Sequence, residues 1–140
     1  MTLENTITVE SENDPLAKLY TDRTVSAREL AEFLLSYIRI DPETLRVKFF
    51  SNIRLGIQQK TLLYYLALRV MNMQGLRETY KATPSQLAKD LPDINPSSVR
   101  PMMRMLVASH LLSYDEQTSE YYITFGQVAA VERYINELGI

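Results

Sequence analysis

The side chains of this sequence that can do chemistry are mostly cations. Arg39, Arg46, Lys48, Arg54 and Lys60 follow one another at short intervals, with Phe50 among them. Spaced cations around an aromatic ring suit a nucleic-acid backbone with a base stacked beside it. The same residues also read as the solvated face of a strand. Arg100 and Arg104 stand four apart, one helical turn, and Ser97 and Ser98 come just before them. Acid–base catalysis has little to work with. Glu29 with Glu32 and Asp41 with Glu43 are carboxylate pairs by spacing, but cap and turn positions account for Glu29, Asp41 and Glu43. There is one histidine, His110, and no cysteine. A zinc site built from histidines, a thiolate metal site, a cysteine nucleophile and a disulfide framework are therefore excluded. His110 itself falls where a helix should end, as a capping or surface residue. Four scattered glycines make no phosphate loop. No enzymatic activity, metal or cofactor is expected.

The chain has 140 residues, enough for one domain or one domain with a tail, and 46% of them are apolar, enough for a real core. No apolar run reaches the roughly 20 residues of a membrane span. The first fifteen residues have neither the basic start nor the apolar block of a secretory signal, so a cytoplasmic protein is expected. The net charge of −2 does not advertise nucleic-acid binding, but its distribution is uneven. Residues 1–14 carry four acids and no base. Residues 17–81 carry eleven bases against six acids. Residues 83–124 carry three bases, Lys89, Arg100 and Arg104, against five acids.

The elements that must position these groups follow from caps and periodicity. Residues 1–14 read as a flexible acidic leader, and Pro15 to Tyr20 as a short helical turn. Residues 15–56 form a helix and β extension. Ser26 and Glu29 spell a capping box, and Leu30, Phe33, Leu34, Tyr37 and Ile38 give the helix one buried face as far as Ile38. Asp41 to Thr44 then make a turn. Residues 46–50 alternate as a strand, with Val47 and Phe49 inward and Arg46, Lys48 and Phe50 outward. Ile53 to Leu55 is its expected hairpin partner across Ser51-Asn52. Residues 58 to 74 predict a helix apolar nearly all round, with Tyr64 and Tyr65 in the core and Gly75 as its stop.

From Thr83 the punctuation is dense. Thr83-Pro84-Ser85-Gln86 is a second capping box with proline at the first helical position, and Asn95-Pro96 repeats the device. Two short helices about one turn apart follow. The second buries Val99, Met102, Met103, Leu106 and Val107, and leaves Ser97, Ser98, Arg100, Pro101, Arg104 and Met105 outward. Pro101 predicts an irregular or 3₁₀-like first turn. Leu111–Tyr114 and Tyr121–Thr124 are β-like runs around a polar tip that holds Asp115, Glu116 and Glu120 and no base. The last helix, 125–140, carries Val128, Val131, Ile135 and Leu138 as an a/d-like stripe, read either as packing on its own domain or as a homodimer seam.

Thr-Pro-Ser-Gln-Leu-Ala from Thr83, Ser-Val-Arg-Pro-Met-Met-Arg-Met-Leu from Ser98, His-Leu-Leu from His110 and Tyr-Tyr-Ile-Thr to Thr124 together resemble winged helix-turn-helix regulators. The resemblance is to the broad multiple-antibiotic-resistance-regulator-like group and to small archaeal winged-helix proteins, and covers about 57–124. It implies a mainly α fold with a small β component: a winged helix-turn-helix core, an N-terminal helix-plus-strand extension and a C-terminal helix. It also implies a DNA-binding transcriptional regulator with a recognition helix at about 96–110. Ser97, Ser98, Arg100 and Arg104 would then face the major groove of double-stranded DNA, with Arg46, Lys48, Arg54 and Lys60 assisting on the backbone. Dimerisation through flanking helices is common in that superfamily, and a homodimer is expected. The acidic tip and methionine-rich helix leave a second reading open, in which the same unit is a protein-interaction module that docks a protein partner.

Overall fold

The computed structural model describes residues 26–138. The acidic leader expected at 1–14 and the turn expected at 15–20 lie outside the described residues. Among the described residues the fold is mainly helical with two small antiparallel hairpins, and no helix is long and apolar enough to cross a membrane.

Helix α1 (Ala27–Leu34) opens on the expected capping box. The Ser26 hydroxyl accepts from the Glu29 N–H, and the Glu29 carboxylate accepts from the Ser26 N–H. It stops one turn earlier than its periodicity suggests. Ile38 belongs to strand β1 (Ile38–Ile40), which pairs antiparallel with β2 (Val47–Phe49), Ile38 opposite Phe49 and Ile40 opposite Val47. Ile53 to Leu55 is therefore not the partner of β2. The reason lies in turn chemistry. The Asp41 carboxylate accepts from the N–H groups of Glu43 and Thr44, an Asx turn that closes the 41–46 loop better than Ser51-Asn52 would close the other. Arg39 reinforces the end of α1, its guanidinium donating to the carbonyls of Leu35 and Ile38 while it lies over the Phe50 ring.

Helix α2 (Ile57–Met73) is the centre of the molecule, with every residue from Thr61 to Met71 buried. Gly75, at a φ of 78°, ends it: Leu76 N–H reaches the Met71 carbonyl and Gly75 N–H the Asn72 carbonyl. That left-handed cap carries no penalty for glycine. Tyr64 and Tyr65 are in the core as expected. The Tyr64 hydroxyl donates to Asp90 at 2.7 Å and that of Tyr65 to the Ala82 carbonyl at 2.9 Å. Burial, and for Tyr64 also the Asp90 carboxylate, pushes both phenols well above their ordinary pKa, so they stay neutral donors.

Helix α3 (Pro84–Asp90) and helix α4 (Pro96–Ala108) take the predicted caps. The Thr83 hydroxyl accepts from Gln86 N–H, and the Asn95 side chain accepts from Ser97 N–H. Leu91 and Ile94 anchor the turn between them in the core. Helix α4 is continuous through Pro101. In its first turn the Ser98 N–H bonds the Asn95 carbonyl three residues back, and the Ser97 carbonyl that Pro101 cannot serve lies on an exposed residue. Val99, Met102, Met103 and Leu106 are buried; Val107 is half-buried. The helix closes on His110, which sits at a φ of 64° while Leu111 N–H bonds the Leu106 carbonyl and His110 N–H the Val107 carbonyl. His110 is thus a cap in a place glycine usually holds.

Strands β3 (Ser113–Asp115) and β4 (Glu120–Tyr122) form the second hairpin, and Ala82 adds a bridge to Tyr121 on its other side. Helix α5 (Phe125–Leu138) returns over α2. Val128, Val131 and Ile135 are buried within the chain itself, which corrects their reading as a dimer seam: apolar positions three and four apart fit any buried face, and α2 is the surface they meet. The side chain of Leu138 lies outside what is described.

Candidate functional site

The outward face of α4 is an open cationic surface beside a shaped groove. Ser97, Ser98, Arg100, Arg104 and Met105 are all exposed, and Met105 keeps 43% of its surface. Neither Arg100 nor Arg104 forms an ion pair among the described residues. An unpaired arginine fork keeps all its donors for a ligand. At the start of the helix the Ser97 hydroxyl already donates to the Asn95 carboxamide at 2.9 Å, so Ser97 serves the cap first. Ser98 has no such engagement among the described residues.

Arg100 and Arg104 line, with Val107, Tyr114 and Tyr121, a groove of about 320 Å³ between α4 and the β3–β4 hairpin. Tyr114 is 42% exposed, and its ring rests on that of the buried Tyr121 with centroids 4.7 Å apart. Tyr114 was not singled out by sequence pattern, because alternation in a three-residue strand does not say which face looks toward a neighbouring helix.

The basic residues of the extension gather elsewhere. Lys48, Arg54 and Lys60 share a cleft of about 710 Å³ with Asp90 and Asp93. This cleft reaches the α3–α4 turn as far as Ile94, the residue before the cap of α4. Lys60 lies over the Phe49 ring at 5.7 Å, and Lys48 is 3.8 Å from Asp41. The two acids offset part of the cationic charge. Arg46 is exposed and lines neither the cleft nor the groove. The eight cations and serines expected to act together thus divide into the α4 face, the cleft beside its leading turn, and Arg46 apart.

The acidic hairpin is less acidic than its composition. Asp115 accepts from Lys81 at 2.8 Å, and that ammonium also lies over the Tyr122 ring. The Lys81 hydrogen bond holds the Asp115 carboxyl below its ordinary range, and the same bond holds the Lys81 ammonium above its own. The stability from this pair is present in full between the two ordinary values. It is lost in acid as pH falls below the unfolded carboxylate value near ~3.9 and through the depressed folded one. In alkali it is lost as pH rises past ~10.4 and through the raised folded value. The melting temperatures of the native protein and Lys81→Met should therefore differ by a constant amount from about pH 5 to 8. That gap should close as the pH is taken down through the acid limb. A gap that persists unchanged in acid would mean the pair is not its source.

Two further side chains, Arg69 and Gln127, tie the elements around the hairpin together. The Arg69 guanidinium, on α2, donates to the Ile123 carbonyl at 2.8 Å. It is stacked between Tyr80 at 3.6 Å and Phe125 at 4.3 Å. The Gln127 side chain accepts from Ser113 and from the Thr124 N–H, and donates to the His110 carbonyl. It joins the end of α4, the hairpin and α5. No group of histidine and carboxylate side chains among the described residues could hold a metal. In comparisons with protein-family models, curated proteins and solved structures, the chain matches none.

Proposed function

We propose that residues 57–124 act as a winged helix-turn-helix that binds double-stranded DNA, and that the protein is a transcriptional regulator. The order of α2, α3, α4 and the β3–β4 hairpin, with Ala82 bridged to Tyr121, supports the fold reading. The observation that carries the function is the pair Arg100 and Arg104. They are one turn apart on the exposed face of a capped helix, and no acid among the described residues engages them. In this reading α4 is the recognition helix, the two arginines meet guanine edges or phosphates, and Lys48, Arg54 and Lys60 reach the backbone beside its N-terminal turn. The neutralising contact of Lys81 on Asp115 lowers the repulsion between the hairpin and phosphate. A homodimer would read two half-sites about one turn (~34 Å) apart. With the α5 stripe buried, it would form through another face.

The test is titration of a labelled duplex by fluorescence anisotropy at rising salt. Binding should weaken steeply with salt, because counterions are released from phosphate. A duplex left free at low salt rules the reading out. One observation favours the second reading, a protein-docking module: Met105 and Tyr114, both more than two-fifths exposed, flank the same arginines. An adaptable methionine beside an aromatic ring suits a protein surface.

A further inference from the structure

We propose that the groove between α4 and the β3–β4 hairpin takes an unpaired nucleotide, its base stacked on Tyr114 and its flanking phosphates on Arg100 and Arg104. The proposal rests on the nucleic-acid reading above and narrows it: the site prefers nucleic acid with an unstacked base to a perfect duplex.

The first support is the tyrosine. Tyr114 keeps 42% of its surface open to solvent on a strand. Tyr114 is also held in place, since the buried Tyr121 ring supports it at 4.7 Å. A ring fixed from below and open on the outside is a stacking platform, and every base presents a face to it. The second support is the company it keeps. Arg100, Arg104 and Tyr114 line one groove of about 320 Å³, and the arginines, with no ion pair among the described residues, are free to take phosphate. The third is charge. The hairpin carries Glu116 and Glu120 besides the neutralised Asp115, and Lys81 beside it is engaged with that aspartate. A duplex brings two charged strands to such a surface, whereas a single strand presents fewer phosphates per unit length. Stacking on a tyrosine gains affinity without adding to that repulsion.

The experiment compares three labelled probes by anisotropy: a short duplex, the same duplex with one extra unpaired nucleotide, and the corresponding single strand. The native protein should bind the bulged duplex about tenfold more tightly than the perfect one, as one stacked base provides. Tyr114→Ala should bring the two affinities together, and Tyr114→Phe, which keeps the ring, should preserve the difference. Equal affinity of the native protein for perfect and bulged duplex overturns the proposal and leaves the duplex reading standing. Binding of the single strand or bulge without the perfect duplex supports the proposal and overturns the duplex reading. Binding to none of the probes overturns both, and is the result a protein-docking face would give. A preference for the bulge that survives in Tyr114→Ala also overturns it.

Discussion

Replacing Arg69 with alanine is expected to destabilise the protein by about 3–5 kcal/mol. The side chain is 8% exposed. Its guanidinium lies between the rings of Tyr80 and Phe125, and its Nε donates to the Ile123 carbonyl. Each ring contributes about 1 kcal/mol or more in a desolvated setting. A charge-assisted bond to a carbonyl adds about 1.5–3 kcal/mol. Burial lowers the guanidinium pKa, and the neighbouring Tyr80 opposes that shift; the group stays charged because arginine starts so high. Lysine at this position keeps the charge but loses the planar faces and the Nε bond, so Arg69→Lys should recover less than half the loss. Arg69→Met fills a similar volume with no charge to desolvate and should be milder than either, about 1–2 kcal/mol. Urea denaturation of the three variants checks the order. If Arg69→Ala were within about 0.5 kcal/mol of native, as ordinary surface changes are, the stack would contribute nothing and the junction of α2, the hairpin and α5 would rest on apolar packing alone.

The double change Arg100→Ala with Arg104→Ala is expected to weaken duplex binding about a hundredfold or more and to leave the fold intact. Each arginine used on a base edge or phosphate carries about 1–3 kcal/mol. Both are exposed on α4 with no intramolecular ion pair among the described residues, so removing them leaves no buried partner unsatisfied. If the two meet phosphates, the dependence of affinity on salt should also flatten by about two counterions. Unchanged affinity in the folded double variant would remove α4 from the interface and turn attention to Lys48, Arg54 and Lys60.

Local chemistry was the legible part of this chain. The caps at Ser26, Thr83 and Asn95 and the stop at Gly75 each depend on residues a few positions apart, and all four are seen. The buried face of α4 and the core position of Tyr64 and Tyr65 follow from helical periodicity in the same way. The misreadings were of partner rather than pattern. Ile38 continues the helical spacing of α1 equally well as it starts the alternation of β1, and only the Asp41 turn decides between them. The stripe Val128, Val131, Ile135 says that one face is buried, not against what. The candidate site shows the same division. Arg100 and Arg104 can be read as neighbours because they share a helix. Tyr114, Lys81, Arg69 and Gln127 cannot, because each works through a residue 14 to 54 positions away or on a neighbouring element. The separation of Lys48, Arg54 and Lys60 from Arg100 and Arg104 into a cleft and a groove is likewise a matter of tertiary packing.

The central claim, that the outward face of α4 with its adjoining groove meets nucleic acid, is tested most directly by amide chemical shifts of isotope-labelled protein titrated with duplex DNA. The largest changes are expected from residues 97 to 104 and at Tyr114, with smaller ones along the turn 91–94. Changes confined to the apolar surface around the exposed Leu35, which shares no residue with the groove, or no changes at saturating DNA, would contradict it.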